Sequence, residues 1–305
     1  MSARGPHPLE ERFRNFVRPT DIPDRPRFSN PFADKRGIPR IARDAFCGTT
    51  LGGAIEHHGC LLVEGLLDTG IAQELVHIIQ RASEAAQRYR EFKDKAAWTD
   101  PWYDPFPLPG PGFIDEMGRS FGNAGGVWAA DCPLGFELLS QALDRAGVPT
   151  AIDLCLGESS FLSVGKTTLR RVAPSSPADG WHQDGAFLGE SIRTVNCWIA
   201  LTDCGEDSPG LDIVPIRAPG LFERGTRGTF FNWGVGRGVV DDAVAEHRTA
   251  IESPVFRAGD AIFFDQLLLH CTGVRPHMTR ERFAIEAWHF AGSTFPMRQV
   301  PIGRP

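Results

Sequence analysis

The chain has 305 residues, 42% of them hydrophobic and 23% charged, with a formal net charge of −6. This balance suits a folded globule with one large core, and the acidic excess argues against nucleic acid, whose phosphates call for a basic surface. No apolar run approaches the ~18 residues of a membrane span, and the opening MSARGPHPLEER lacks the apolar stretch of a signal peptide. A cytoplasmic protein is therefore expected. Its seven cysteines (Cys47, Cys60, Cys132, Cys155, Cys197, Cys204 and Cys271) are scattered and form no CxxC pair. Reduced thiols are expected rather than a disulfide scaffold or a zinc ribbon.

Residues 1–45 are rich in Pro, Arg and Asp and read as an extended arm. The run GCLLV at 59–63 predicts a short strand. In the following stretch Leu75, Ile78, Ile79 and Ala82 recur at helical spacing, with Asp68 or Thr69 placed to cap. Residues 97–130 hold Trp98, Trp102, Tyr103, Phe106, Phe113, Phe121 and Trp128 among many Gly and Pro. Such a loop is packed on something, as a lid over substrate, as a hydrophobic clasp over the barrel mouth, or as both. A second helix is expected over about Leu134 to Ala146.

From Ile152 onward the pattern turns to short strands: FLSVG, TTLRRV, TVNCWIAL, LDIVP, AIFFD, LLLHCTG and FAIEAWHF. Many short strands following helices predict a mainly β sandwich or barrel with flanking helices, not a doubly wound sheet. The expected organisation is one domain over 1–305. It comprises the arm (1–45), a helical and lid region (46–150) and a β core (151–295). The segment GVGRG at 234–238 lacks the βαβ setting of a nucleotide loop and reads as an ordinary loop.

The sharpest local feature is WHQDG at 181–185. In a strand, residues two apart share a face, so His182 and Asp184 would present an imidazole and a carboxylate together, with Gln183 turned away. HxD alone is a weak signal, since a surface His beside a turn Asp is commoner. His270, which closes the apolar run DQLLLH 86 residues after Asp184, is the candidate third ligand. Two His and one carboxylate on one face of an ion form the facial triad of non-haem iron oxygenases. The remaining histidines (His7, His57, His58, His77, His247, His277 and His289) show no comparable partner pattern.

The run from Trp181 to Phe290 resembles the phytanoyl-CoA dioxygenase family of iron(II)/2-oxoglutarate-dependent oxygenases. WHQD at 181–184, VNCWIAL at 195–201, PGLDIVP at 209–215, AGDAIFFDQLLLHCTG at 258–273 and RFAIEAW at 282–288 follow in the family's order. The resemblance implies a double-stranded β-helix, a jelly-roll or cupin-like fold. It also implies Fe(II) on His182, Asp184 and His270, with 2-oxoglutarate and O2 as co-substrates. It places Arg282 at the far carboxylate of 2-oxoglutarate, with Thr272 beside it and Trp198 either near the co-substrate or simply in the core. Arg170 or Arg171 stands where the family often has a basic residue. The family's usual turn after PGLDIVP is replaced by IRAPG, which leaves Arg217 without an inferred role. The implied reaction hydroxylates an unactivated C–H bond of a small molecule and releases succinate and CO2. Desaturation or epoxidation on the same scaffold is an alternative, as is a non-catalytic metal-binding module. Aromatics in the loop at 97–130 lean towards an apolar or ring-containing substrate.

Overall fold

Past Ser160 the apolar side chains alternate, and the chain accordingly forms strands that bury one face against helices and the other against a second sheet. The computed structural model describes residues 6–110, 126–176, 180–225, 229 and 232–304. Among these the helices are α1 (Glu10–Arg14), α2 (Gly48–His58), α3 (Thr69–Glu91), α4 (Pro133–Arg145), α5 (Val148–Leu156), α6 (Gly185–Leu188) and α7 (Arg237–Glu246). The strands are β1 (Arg40–Ala42), β2 (Cys60–Glu64), β3 (Gly126–Trp128), β4 (Ser160–Ser163), β5 (Thr168–Val172), β6 (Thr194–Ala200), β7 (Gly210–Val214), β8 (Ala261–Phe264), β9 (Leu269–Gly273), β10 (Arg282–Ala291) and β11 (Pro301–Ile302).

A large sheet runs β1-β2-β8-β6-β10-β4-β11, with β5 also pairing β10 and β3 pairing β5; β7 and β9 form a small opposing sheet. Single-residue bridges widen the small sheet. His182 bridges His270 of β9, and Glu252 bridges Ile213 of β7. This is a mainly β, double-stranded β-helix architecture. Period-2 alternation sorts side chains between the layers. Val195, Cys197, Ile199, Phe263, Phe283 and Ile285 pack into the core beneath α3, α4 and α5. Trp198, Ile262, Phe264 and Trp288 point instead into the interior between the sheets.

All seven strand segments expected after Ile152 are present, but the chain remains helical through Leu156 and the first of them starts at Ser160. Helix α3 buries Leu75, Ile78, Ile79 and Ala82, as its periodicity predicts. Asp68 is its N-cap residue but makes no capping bond; its carboxylate faces Arg43 at 3.4 Å. The expected strand at 59–63 is β2, and Gly59 itself adopts φ 81° to end α2. Five helices run through segments with no such expectation: α1, inside the arm read as extended, α2, α5, α6 and α7. The GVGRG segment is divided, with Gly236 capping α7 and Arg237 opening it.

Where it is described, the aromatic loop packs on the helix side of the large sheet and not over the cavity, the place expected for a lid or clasp. Tyr103, Phe106 and Trp128 sit in the helix-side core, and Trp98 packs edge-on against Tyr89 of α3 at 5.3 Å. Residues 111–125 of the expected lid, including Phe113 and Phe121, lie outside the described residues. All seven cysteines are free. Among the described residues no helix is long and apolar enough to cross a membrane.

Candidate metal centre and its cavity

Two chain segments meet at one point. His182 and His270 face each other across an antiparallel bridge, their backbones exchanging N–H···O bonds of 2.9 and 3.1 Å. That pairing brings a side chain 86 positions away into the HxD neighbourhood. The expected strand at 181–185 is limited to this single bridge. Asp184 has helical angles (φ −61°, ψ −24°) and leads into α6. The carboxylate thus reaches the histidines through a turn rather than through strand alternation. Gln183 does point away. Its amide donates to the carbonyls of Gly220 (3.0 Å) and Leu267 (2.7 Å) and accepts from the Phe222 N–H (2.7 Å). Those three bonds lock the residue between two of the converging side chains.

The ligand atoms of His182, Asp184 and His270 all lie within 4.8 Å of one another. The imidazole centroids are 4.4 Å apart, and Asp184 Oδ2 is 3.7 Å from His270 Nε2. Each imidazole turns its Nδ1 to a backbone carbonyl, that of Gly180 for His182 and that of Leu268 at 3.0 Å for His270. A carbonyl can only accept, so Nδ1 carries the proton and Nε2 presents its lone pair to the shared point. Burial, and secondarily the neighbouring His270, push the His182 pKa down to about 4, against the opposing pull of Asp184. His182 is therefore neutral at physiological pH, the form a metal requires. Two imidazole nitrogens and a carboxylate oxygen suit a divalent transition metal such as iron(II) and leave other positions of an octahedral ion to non-protein ligands.

A cavity of about 390 Å³ opens on these three residues. Its lining also includes Arg282, Thr272 and Trp198, the other three residues singled out from the sequence. Arg282 is 1% exposed. Its Nη1 donates to the Gly210 carbonyl at 2.9 Å, and its guanidinium lies 5.3 Å above the Trp198 ring. Its Nε has no partner, and burial pushes its pKa down to about 10. Trp198 also packs on Phe256 at 4.9 Å, so it is core and cavity wall at once. The two arginines between His270 and Arg282 face elsewhere. Arg275 pairs with Asp212 at 2.7 Å and Arg280 with Asp207 at 3.1 Å.

Several wall residues carry no pattern in the sequence. Lys166, in the turn between β4 and β5, places Nζ 3.7 Å from Asp184 Oδ1. Glu286 lies on the Arg282 face of β10. It accepts from Thr168 at 3.2 Å and faces Arg170 Nη1 at 3.5 Å. Burial alone would raise its pKa, but Arg170, Lys166 and Arg282 together hold it below the ordinary value. Of the two adjacent arginines, Arg170 lines the cavity while Arg171 pairs outside with Glu281 at 2.9 Å. Arg217 pairs with Asp265 and lines a separate cleft. The aromatic surface facing the metal-site residues comes from Phe187, Trp233, Phe264 and Trp288, not from the described parts of the loop at 97–130.

Residues 151–275 match the phytanoyl-CoA dioxygenase (PhyH) family. No protein of curated function matches the sequence. The fold is similar to that of the non-heme alpha ketoglutarate dependent carbocyclase SnoK from nogalamycin biosynthesis. That likeness has a TM-score of 0.52 and 16% identity, over 83% of this chain and 87% of that one. It is also similar to EctD from S. alaskensis with bound Fe, at TM-score 0.51 and 15% identity over 83% of this chain and 80% of that one. The same protein with 2-oxoglutarate and 5-hydroxyectoine aligns at TM-score 0.50 and 17% identity, over 95% and 92%. At these identities the likenesses speak to the fold.

Proposed function

We propose that this chain, whose residues 151–275 match the phytanoyl-CoA dioxygenase family, is an iron(II)- and 2-oxoglutarate-dependent oxygenase that hydroxylates an unactivated C–H bond of a small molecule. The observation that carries the reading is Arg282. A guanidinium buried to 1% exposure, with Nε unpartnered and only a carbonyl on Nη1, is costly unless an anion completes it. It stands in the cavity that holds the His182, Asp184 and His270 side chains. A bare metal-binding module would have no use for it; a dicarboxylate that spans from metal to guanidinium would.

In this reading His182, Asp184 and His270 hold the metal, each imidazole fixed by its Nδ1 bond to a carbonyl. Arg282 grips the far carboxylate of 2-oxoglutarate through charge-assisted bonds. Thr272, on the His270 face of β9, donates its hydroxyl to the same group. Trp198 limits the swing of the guanidinium by packing beneath it. When bound, iron(II) with 2-oxoglutarate would supply the chemistry by which the two atoms of O2 are divided between succinate and the substrate C–H bond, with release of CO2. Phe187 and Trp233, 5.9 Å apart and edge-on to each other beside His182, offer an apolar surface for the substrate and exclude water near the reacting centre. Such a surface favours an apolar or ring-containing substrate.

The fold relative SnoK is described as a carbocyclase, so the test must distinguish outcomes at the product. Purified protein reconstituted with ferrous iron would be screened against small-molecule pools. Succinate release would be followed, with mass spectrometry to separate gain of an oxygen atom from loss of two hydrogens. Substrate-stimulated succinate release, a product one oxygen heavier and loss of both in His182→Ala are expected. Succinate release equal in the parent and in His182→Ala would overturn the reading. A product lacking the added oxygen would overturn hydroxylation alone.

A further inference from the structure

We propose that Lys166 is a positioning residue that keeps Asp184 bound to the metal through one oxygen only. The inference rests on the metal-centre reading above and concerns a residue to which that reading gives no role. The two carboxylate oxygens of Asp184 face different partners. Oδ2 is 3.7 Å from His270 Nε2, on the side where the three ligand atoms converge. Oδ1 is 3.7 Å from Lys166 Nζ.

Lys166 is held in place from two directions. Its turn is fixed by the Thr167 N–H bonding to the Ser163 carbonyl (2.9 Å) and by the Thr167 carbonyl accepting from Ala129 (2.8 Å). Its ammonium lies over the rings of Phe187 at 4.8 Å and Trp288 at 5.3 Å, and its side chain is only 20% exposed. Among the described residues its one ion pair is with Asp184. Glu286, the other carboxylate in this cavity, also feels the Lys166 charge, but its ion pair is with Arg170 and its hydrogen bond with Thr168.

The physical consequence follows from coordination geometry. A carboxylate can bind a metal through one oxygen or through both. Binding through both would consume a position that a chelating co-substrate or oxygen needs. An ammonium beside Oδ1 stabilises the charge left on that oxygen when Oδ2 alone is on the metal, and that stabilisation is lost if Oδ1 turns to the metal. The rings of Phe187 and Trp288 hold the ammonium on the outer side of the carboxylate. Lys166 thereby favours the mode that leaves the most positions open.

The test uses the full-length protein loaded with cobalt(II), whose visible ligand-field absorption reports coordination number without 2-oxoglutarate, substrate or turnover. Three forms are compared: the parent, Lys166→Met, which keeps a stem of similar length against the rings, and Lys166→Arg, which restores a cation. Thermal unfolding first confirms that each variant folds. Lys166→Met should change the cobalt spectrum and lower 2-oxoglutarate affinity tenfold or more, and Lys166→Arg should return both towards the parent. Identical cobalt spectra in all three forms would overturn the proposal, and a loss of 2-oxoglutarate affinity with no spectral change would show that Lys166 touches the co-substrate instead. A parent that binds no cobalt would instead overturn the metal-centre reading itself.

Discussion

Arg282 and Arg280 stand two positions apart and meet opposite environments. Arg282 is buried beside Trp198 with an unpartnered Nε, whereas Arg280 pairs with Asp207 outside, at 56% side-chain exposure. Removing one partner of a buried, charge-assisted contact costs on the order of 2–5 kcal/mol, while exposed pairs contribute about 0–1 kcal/mol. Arg282→Ala should therefore weaken 2-oxoglutarate binding by roughly 30-fold or more, in line with that range, and leave iron affinity nearly unchanged. Arg280→Ala should alter neither by more than a few-fold. Calorimetric titration of both variants would check this, and equal losses would mean that the anchor lies elsewhere. The inward aim of Arg282 is legible in the sequence, because Phe283 and Ile285 alternate with it and claim the helix side. Lys166 is not legible there. A single lysine in a turn has no periodicity or spacing, and its role exists only because β4 and β5 return past Asp184.

At the scale of elements, strands are easier to read than helices. Each of the seven C-terminal strands carries an alternation that its two-faced burial enforces. Helix α2 leaves no clear pattern because GTTLGGAIEHH holds Gly48, Gly52 and Gly53, each unfavourable in a helix interior by about 1 kcal/mol relative to Ala. The glycines are there for packing. A Cβ on Gly53 would lie 2.5 Å from the Ser29 carbonyl and 2.6 Å from Pro31, and one on Gly52 2.4 Å from the Phe28 ring. The arm is seated directly on the helix backbone. Gly53→Ala therefore has a sign that discriminates. Helix propensity alone predicts stabilisation of about 1 kcal/mol, but overpacking against a backbone carbonyl costs ~1–3 kcal/mol. We expect net destabilisation and faster proteolytic cleavage within residues 25–35, measured by denaturant unfolding and limited digestion. A more stable variant with a protected arm would contradict the packing account. The residues around Asp184 read as strand and fold as a turn for a related reason. HxD brings two ligands together in either conformation, so spacing alone cannot choose.

Across the whole molecule, the double layer of sheet and helices buries titratable groups whose charge states record folding. His289 on β10 is 3% exposed. Burial pushes its pKa down to about 4, against a weaker opposing bond to the Ala287 carbonyl. In the unfolded chain a histidine titrates near 6.5. Above about pH 6.5 both states are neutral and the contribution to stability is full. As pH falls towards 4 the unfolded state gains a proton that the folded state refuses, so stability declines by up to about 1.4 kcal/mol per pH unit for this group. Denaturant unfolding at pH 7 and pH 5 should show this loss, and His289→Leu should shrink it; an unchanged slope would place the acid sensitivity in other groups. The same convergence of layers brings His182, Asp184, His270 and Arg282 from separated stretches of chain around one cavity, and whether they act as one site is the central claim. The most direct measurement is the metal-to-keto-acid charge-transfer absorption of the anaerobic protein on adding ferrous iron and then 2-oxoglutarate. A band that saturates with one iron per chain and disappears in Asp184→Ala is expected. No band in the parent, or an undiminished band in Asp184→Ala, would contradict that claim.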